Sequence, residues 1–316
     1  MIKVYVAGHT GMVGSSIVRN LKKTRNFKII KAERKKLNLL NFDNVSKFIK
    51  KNKPDIVILC AAKVGGILKN MNFPSEFYLE NIKIQNNMIQ VCHDNNINNL
   101  IFLGSSCIYP KYAKQPLREE YLLDGKLEPT NEAYALAKIC GIKYCHYLNK
   151  QFGRKYFSVM PCNLYGPNDN FDVKSGHFIP GLINKLHNAK LKKLEQIEIF
   201  GTGKPRREIM HVDDLSNAIR KIINLLMNNN MRLNQLIKNY SFVNIGSGKD
   251  YTIKQYATIL RKIINVNVKF KFNKKYPDGT LRKLLDVKKI KSLGWKPSIS
   301  LTMGIAKTYN WYKKNV

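Results

Sequence analysis

Short apolar runs and helix-spaced segments alternate from the first residues onward. IKVYVAG, FKII, DIVILCAA, LIFLGSS and YFSVMPCNLYG read as strands, while 12–23, 45–52 and 132–153 carry apolar residues at helical spacing. Such alternation predicts a parallel sheet covered by helices. The strands are continuously apolar rather than alternating, as expected where both faces of a sheet are covered. The fold class that follows is α/β, a doubly wound parallel sheet with ligands at the carboxyl ends of its strands. Past Gly166 the pattern changes to a loop-rich stretch, polar over 167–176 and basic over 184–193. The expected division is a large dinucleotide-binding unit from 1–166 plus 211–249, and a second, smaller α/β substrate unit from 167–210 plus 250–316. HVDDLSNAI and YSFVNIGSG mark the return of the chain to the large unit.

Composition narrows the class. The 316 residues, 44% hydrophobic, suffice for a sizeable core. No apolar run approaches the ~18 residues of a membrane span. The start, MIKVYVAGHTGMVGSS, runs into a glycine turn without a small-residue cleavage site, so it reads as a first strand and the expected location is cytoplasmic. Cysteines at 60, 92, 107, 140, 145 and 162 form no CxxC pair, and the histidines show no metal spacing. Neither a disulfide scaffold nor a metal site is expected. The net charge of +34 suggests an anionic partner. Lysine and asparagine are nevertheless spread along the whole chain, which predicts a solvated basic surface and no specific nucleic-acid role.

Candidate chemistry begins at Gly8, Gly11 and Gly14, a GxxGxxG directly after the first strand and at the head of the first helix. Glycines there permit a tight turn and close approach of backbone to a pyrophosphate, which the helix N-terminus favours. The second strand runs into Lys31-Ala-Glu-Arg-Lys-Lys36. Arg34 offers a guanidinium suited to a 2′-phosphate, while Glu33 beside it leaves cofactor choice open. Tyr134 and Lys138 form YxxxK, which a helix places on one face. A cation beside the phenol favours phenolate and so makes a better acid toward a carbonyl oxygen receiving hydride. Ser105, at the end of the fourth strand, supplies a hydroxyl for that oxygen.

Glycine turn, strand-end serine and YxxxK, in that order, resemble the short-chain dehydrogenase/reductase family, in its extended, nucleotide-sugar branch. GHTGMVGS, AAKVGGI, FLGSSCIYPK, QPLREEYLLDGKLEPTNEAYALAKI, VMPCNLYGPNDNF, REIMHVDD and YPDGTLRKLLDV are similar more closely to the GDP-L-fucose synthases. These act as 3,5-epimerase and 4-reductase on GDP-4-keto-6-deoxy-D-mannose. The resemblance implies a Rossmann fold, NADP(H) as cofactor, a GDP-sugar substrate and a homodimer built on helices beside Tyr134.

It also implies roles. Ser105 orients the carbonyl, Tyr134 donates the proton, and Lys138 tunes Tyr134 and binds the nicotinamide ribose. Cys107 is the base and His177 the acid for epimerisation. Gly8, Thr10, Gly11, Met12, Val13, Gly14, Arg34, Leu103, Gly104, Ser105, Ser106, Lys138, the Pro161, Cys162, Asn163 and Leu164 backbone, and His177 face the cofactor. Lys185, Phe200, Arg207 and Asp278 face the GDP-sugar. Lys185 and Phe200 depart from the commoner arginine and tryptophan, and Thr10 replaces an arginine, which weakens strict NADPH choice. A cysteine after a strand is otherwise packing material. Rival readings are a 4-epimerase or 4,6-dehydratase with tightly bound NAD, and a non-catalytic cofactor-sensing or polyanion-binding protein.

Overall fold

The computed structural model describes residues 1–316 except Lys174 and Pro277, so Pro277 of the YPDGTLRKLLDV segment lies outside the described residues. The strands are β1 (Ile2–Ala7), β2 (Phe27–Ile30), β3 (Ile56–Leu59), β4 (Asn99–Leu103), β5 (Lys155–Pro161), β6 (Asn163–Tyr165), β7 (Gln196–Phe200), β8 (Arg206–His211), β9 (Phe242–Ile245), β10 (Asp250–Thr252), β11 (Lys269–Asn273) and β12 (Arg282–Lys283). A parallel six-stranded sheet runs β2-β1-β3-β4-β5-β9. The strand order reverses between β1 and β3, whose carboxyl ends lie side by side with Ala7 opposite Leu59. That crevice is where an open α/β sheet binds ligands.

Continuous apolar strands do face cover on both sides: β3 is buried at every position, as is β9. Helix Val212–Met227 packs on helix Met12–Leu21, with Ser16 Oγ donating to Asp213 at 2.8 Å. Helices Pro74–Asp94 and Glu132–Phe152 pack against each other. The first of these was not legible from apolar spacing, because it buries Asn81 and Gln85 along with Phe77 and Met88. Gln85 Nε2 is satisfied by the Ala137 carbonyl at 2.6 Å, so these polar side chains tie the two helices together.

YFSVMPCNLYG is two strands, not one. β5 ends at Pro161 in the large sheet, and after Cys162 the chain enters β6, which pairs with β8 in a second sheet that also holds β10 and β12. The basic stretch 184–193 falls largely within helix Phe178–Leu191, which buries Ile179, Leu182, Ile183 and Leu186 and leaves Lys185 half-buried and Lys190 exposed. Those residues join a second hydrophobic core with Tyr256, Leu260, Ile305 and Tyr309. Leu285, Val287, Ile290, Leu293 and Trp295, which the sequence pattern groups with the smaller unit, pack instead into the core of the large sheet. Among the described residues, no helix is long and apolar enough to cross a membrane, and no group of three or more His, Cys, Asp or Glu is placed to hold a metal.

Candidate active site

The glycine turn presses the end of β1 against the end of β3. Gly8 has φ +86°, and a Cβ there would lie 2.7 Å from the Ala61 nitrogen; a Cβ on Gly14 would lie 2.2 Å from the Gly8 oxygen. Side chains are therefore excluded at Gly8 and Gly14 by backbone, not by flexible neighbours. Helix Met12–Leu21 starts at Gly11 with no side-chain cap and no acidic residue in its first turn. Its first amides retain their capacity to bind an anion, which fits the pyrophosphate of a dinucleotide. Thr10 and Gly11 are exposed at the turn, and Met12 and Val13 are half-buried behind it. Arg34 is exposed beyond β2. His9 sits close enough to Lys31 and Glu33 to feel both: burial lowers its pKa, Lys31 lowers it further and Glu33 opposes.

At the end of β4 the chain turns into a 3-10 helix, Ser106–Ile108, capped by Ser105, whose Oγ accepts from the Cys107 amide at 3.3 Å. Gly104 lies where a Cβ would strike the Met160 side chain, which keeps β4 and β5 close at this level. Lys138 is buried, 3% exposed, yet its ammonium donates to the Leu103 carbonyl at 2.8 Å. It stands 4.7 Å from the Phe102 ring centroid and 5.8 Å from that of Tyr134. Burial lowers Lys138 to about 8, with nearby Cys60 opposing. The Tyr134 phenol is raised, first by burial and then by Cys107, while a hydrogen bond with Ser105 opposes. YxxxK led to the expectation that the lysine would dominate; in the free protein desolvation outweighs it, and the phenol keeps the proton it has to donate.

Cys107 is half-buried, and two nitrogens approach its sulfur: Asn131 Nδ2 at 3.4 Å and Lys283 Nζ at 3.6 Å. His177 begins helix Phe178–Leu191, with surface open to solvent even though the walls around it desolvate the ring and lower its pKa. The preceding Gly176 oxygen closes on Gly66 of the AAKVGGI loop, 3.4 Å from where a Cβ would stand. Cys162 is buried and its thiol is raised well above the ordinary value by burial, so it is packing; its amide donates to Ile245 at 2.9 Å, and Asn163 and Leu164 follow on β6.

The residues expected at the GDP-sugar gather on helix Phe178–Leu191, β7, β8 and the segment that follows β11. Lys185 Nζ donates to the Glu198 carbonyl at 3.0 Å and lies 4.4 Å over the Phe200 ring, which stacks on Tyr276 with centroids 3.9 Å apart. Phe200 and Tyr276 are 45% and 42% exposed, an aromatic platform open to a ligand. Arg207 donates to the Arg206 carbonyl at 2.8 Å and to that of Thr280. Burial lowers its pKa, opposed by Asp278 and Glu128. Asp278 is already engaged: its Oδ1 accepts from the Thr202 amide at 2.9 Å, fixing the turn that contains Gly201 and Gly203.

Residues 4–233 match the NAD dependent epimerase/dehydratase family. The chain is 45% identical over 313 residues to the GDP-L-fucose synthase of Escherichia coli (strain K12), spanning 99% of this chain and 97% of that one. It belongs to the GDP-L-fucose synthase family. Among solved structures, a GDP-6-OMe-4-keto-L-xylo-heptose reductase from C. jejuni matches with a TM-score of 0.91 at 36% identity, over 100% of this chain and 98% of that one. A GDP-mannoheptose C4 reductase from Campylobacter jejuni, solved with NADP bound, matches at 0.87 and 38%, over 99% and 98%.

Within this GDP-L-fucose synthase family member, several site neighbours went unread in the sequence. Asn131 and Lys283 lie in LEPTNEAY and TLRKLL, motifs noticed for resemblance without a role for either side chain. Lys283 is 176 residues distant in sequence from Cys107, and the pairing of β12 with β8, Lys283 opposite Arg207, together with the bridge from Leu285 to Leu117, carries it there. Tyr276 gave no signal beyond its proximity to Asp278. Asn168 donates to Ser15 Oγ at 2.9 Å and joins the PNDNF loop to the first helix.

Proposed function

We propose that this chain converts GDP-4-keto-6-deoxy-D-mannose into GDP-L-fucose, by epimerisation at C3 and C5 followed by reduction at C4, with NADPH as cofactor. The observation that supports it most is the meeting of two chemistries at the end of β4. Ser105, Tyr134 and Lys138 form a carbonyl-reducing set, and Cys107 adds a sulfur base two residues from Ser105.

The 8–14 turn, 103–106, Lys138, 161–164 and His177 would hold the cofactor, with Arg34 toward a 2′-phosphate. When bound, NADPH supplies the hydride for C4. The 4-keto group acidifies the hydrogens on C3 and C5. Cys107 accepts one of these protons, the C–H electron pair enters the enolate, and Ser105 and Tyr134 stabilise the developing oxyanion. His177 delivers a proton to the opposite face of the carbon. Tyr134, held protonated by burial, then donates to the C4 oxygen as reduction completes. Lys185, the Phe200–Tyr276 platform, Arg207 and Asp278 receive the nucleotide diphosphate.

Exposed Tyr78, Leu79, Leu136, Tyr147 and Phe152, on the packed helices Pro74–Asp94 and Glu132–Phe152, support a homodimer through those helices. The dispersed basic charge is read as solvated surface in a cytoplasmic enzyme without specific nucleic-acid binding.

The two chemistries should separate by mutation. In deuterated water, Cys107→Ser should suppress deuterium at C3 and C5, whereas Tyr134→Phe should lose most NADPH oxidation while exchange persists. Labelling at the wild-type rate in Cys107→Ser would remove the base assignment.

A further inference from the structure

Cys107 does not stand alone as a base. A neutral thiol removes protons from carbon poorly, and the anion that does so needs a positive partner where water is scarce. The sulfur has two donors, the neutral Asn131 amide at 3.4 Å and the Lys283 ammonium at 3.6 Å. Lys283 is half-buried on β12, in register with Arg207.

The carboxylates nearest in this region have other cations. Glu128 pairs with Lys111 at 3.3 Å and accepts from Thr280 at 3.2 Å. Asp250 pairs with Arg206 at 2.9 Å and with Arg282 at 2.6 Å. Among the described residues Lys283 has no carboxylate within ion-pair distance. Its ammonium is directed instead at sulfur. A small cavity runs alongside, lined by Cys107, Lys111, Glu128, Thr280, Arg282 and Lys283.

We propose that Lys283 is a positioning residue for Cys107, serving as counter-ion to its thiolate, with Asn131 fixing the sulfur's direction. The proton leaves C3 or C5 for sulfur, the C–H pair becomes the enolate double bond, and the carbonyl pair moves to oxygen. Lys283 balances the charge on sulfur before that transfer and touches no reacting atom itself. This rests on Cys107 being the epimerisation base.

The test alkylates the full-length protein with iodoacetamide at neutral pH and follows Cys107 by peptide mass spectrometry, with added glutathione as internal reference. Relative to glutathione, Cys107 should react about tenfold more slowly in Lys283→Met and in Lys283→Gln, and near the wild-type rate in Lys283→Arg. The glutamine keeps a donor without charge, so it separates charge from hydrogen bonding and from folding. Deuterium incorporation at C3 and C5 should fall with the alkylation rate across the series. Unchanged Cys107 alkylation in the methionine and glutamine variants overturns the pairing. Slowed alkylation with unchanged labelling overturns its role in the reaction. The alkylation result does not depend on what Cys107 does, so failure of the base assignment, read from Cys107→Ser, remains distinguishable.

Discussion

The Lys138 ammonium donates to the main-chain oxygen of Leu103 at 2.8 Å, and this bond joins the YxxxK helix to the last residue of β4. Ser105 and Cys107 follow Leu103 within one turn, so a single buried cation sets the distance between the phenol and the residues it works with.

Lys138→Met should therefore lower the NADPH-dependent reduction rate by on the order of 10²-fold, because it removes both the charge and the tether. Since burial brings Lys138 to about 8, its charge is present below that pH and lost above it. The kcat/KM for reduction should fall as pH rises through this range. A profile flat to pH 10 in the wild type would contradict the role.

Arg34 is exposed past the end of β2, with no acidic residue terminating the strand itself. Arg34→Ala should raise KM for NADPH and leave KM for NADH nearly unchanged, measured by steady-state kinetics with both cofactors. An equal rise for both would refute the 2′-phosphate contact.

Asp169, in the PNDNF loop, has Oδ1 bonded to the Asn170 amide at 2.8 Å and a buried Oδ2 without a partner among the described residues. Burial raises its pKa from 3.8 to about 7. The folded protein thus holds this proton more tightly than the unfolded chain, and the contribution to stability is present below 3.8 and lost as pH rises through about 7. Asp169→Asn keeps the Asn170 bond and has no proton to lose. Thermal melts should show the variant more stable than wild type at pH 8 by roughly 2 °C or more, with the advantage vanishing near pH 4. An equal difference at both pH values would contradict this.

Much of the sheet was legible because its strands are continuous apolar runs, and the glycine turn because its glycines follow β1 directly. Helix Pro74–Asp94 was not, since Asn81 and Gln85 occupy positions where an amphipathic reading requires apolar residues. The break at Cys162 was hidden because β6 follows β5 after a single residue, and its pairing with β8 is what sets it in another sheet. Local spacing brought out Ser105, Tyr134 and Lys138. Asn131 and Lys283 reach the sulfur from distant segments, and Lys283 arrives through a strand of two residues. Periodicity carries no information about such a pairing.

The most direct test is the product itself. The purified protein is incubated with GDP-4-keto-6-deoxy-D-mannose and NADPH in deuterated water, and the sugar is identified by nuclear magnetic resonance. The expected product is GDP-L-fucose carrying deuterium at C3 and C5, with NADPH consumed one for one. A product reduced at C4 that keeps the substrate's configuration at C3 and C5, without deuterium there, would show a C4 reductase alone and contradict the central claim.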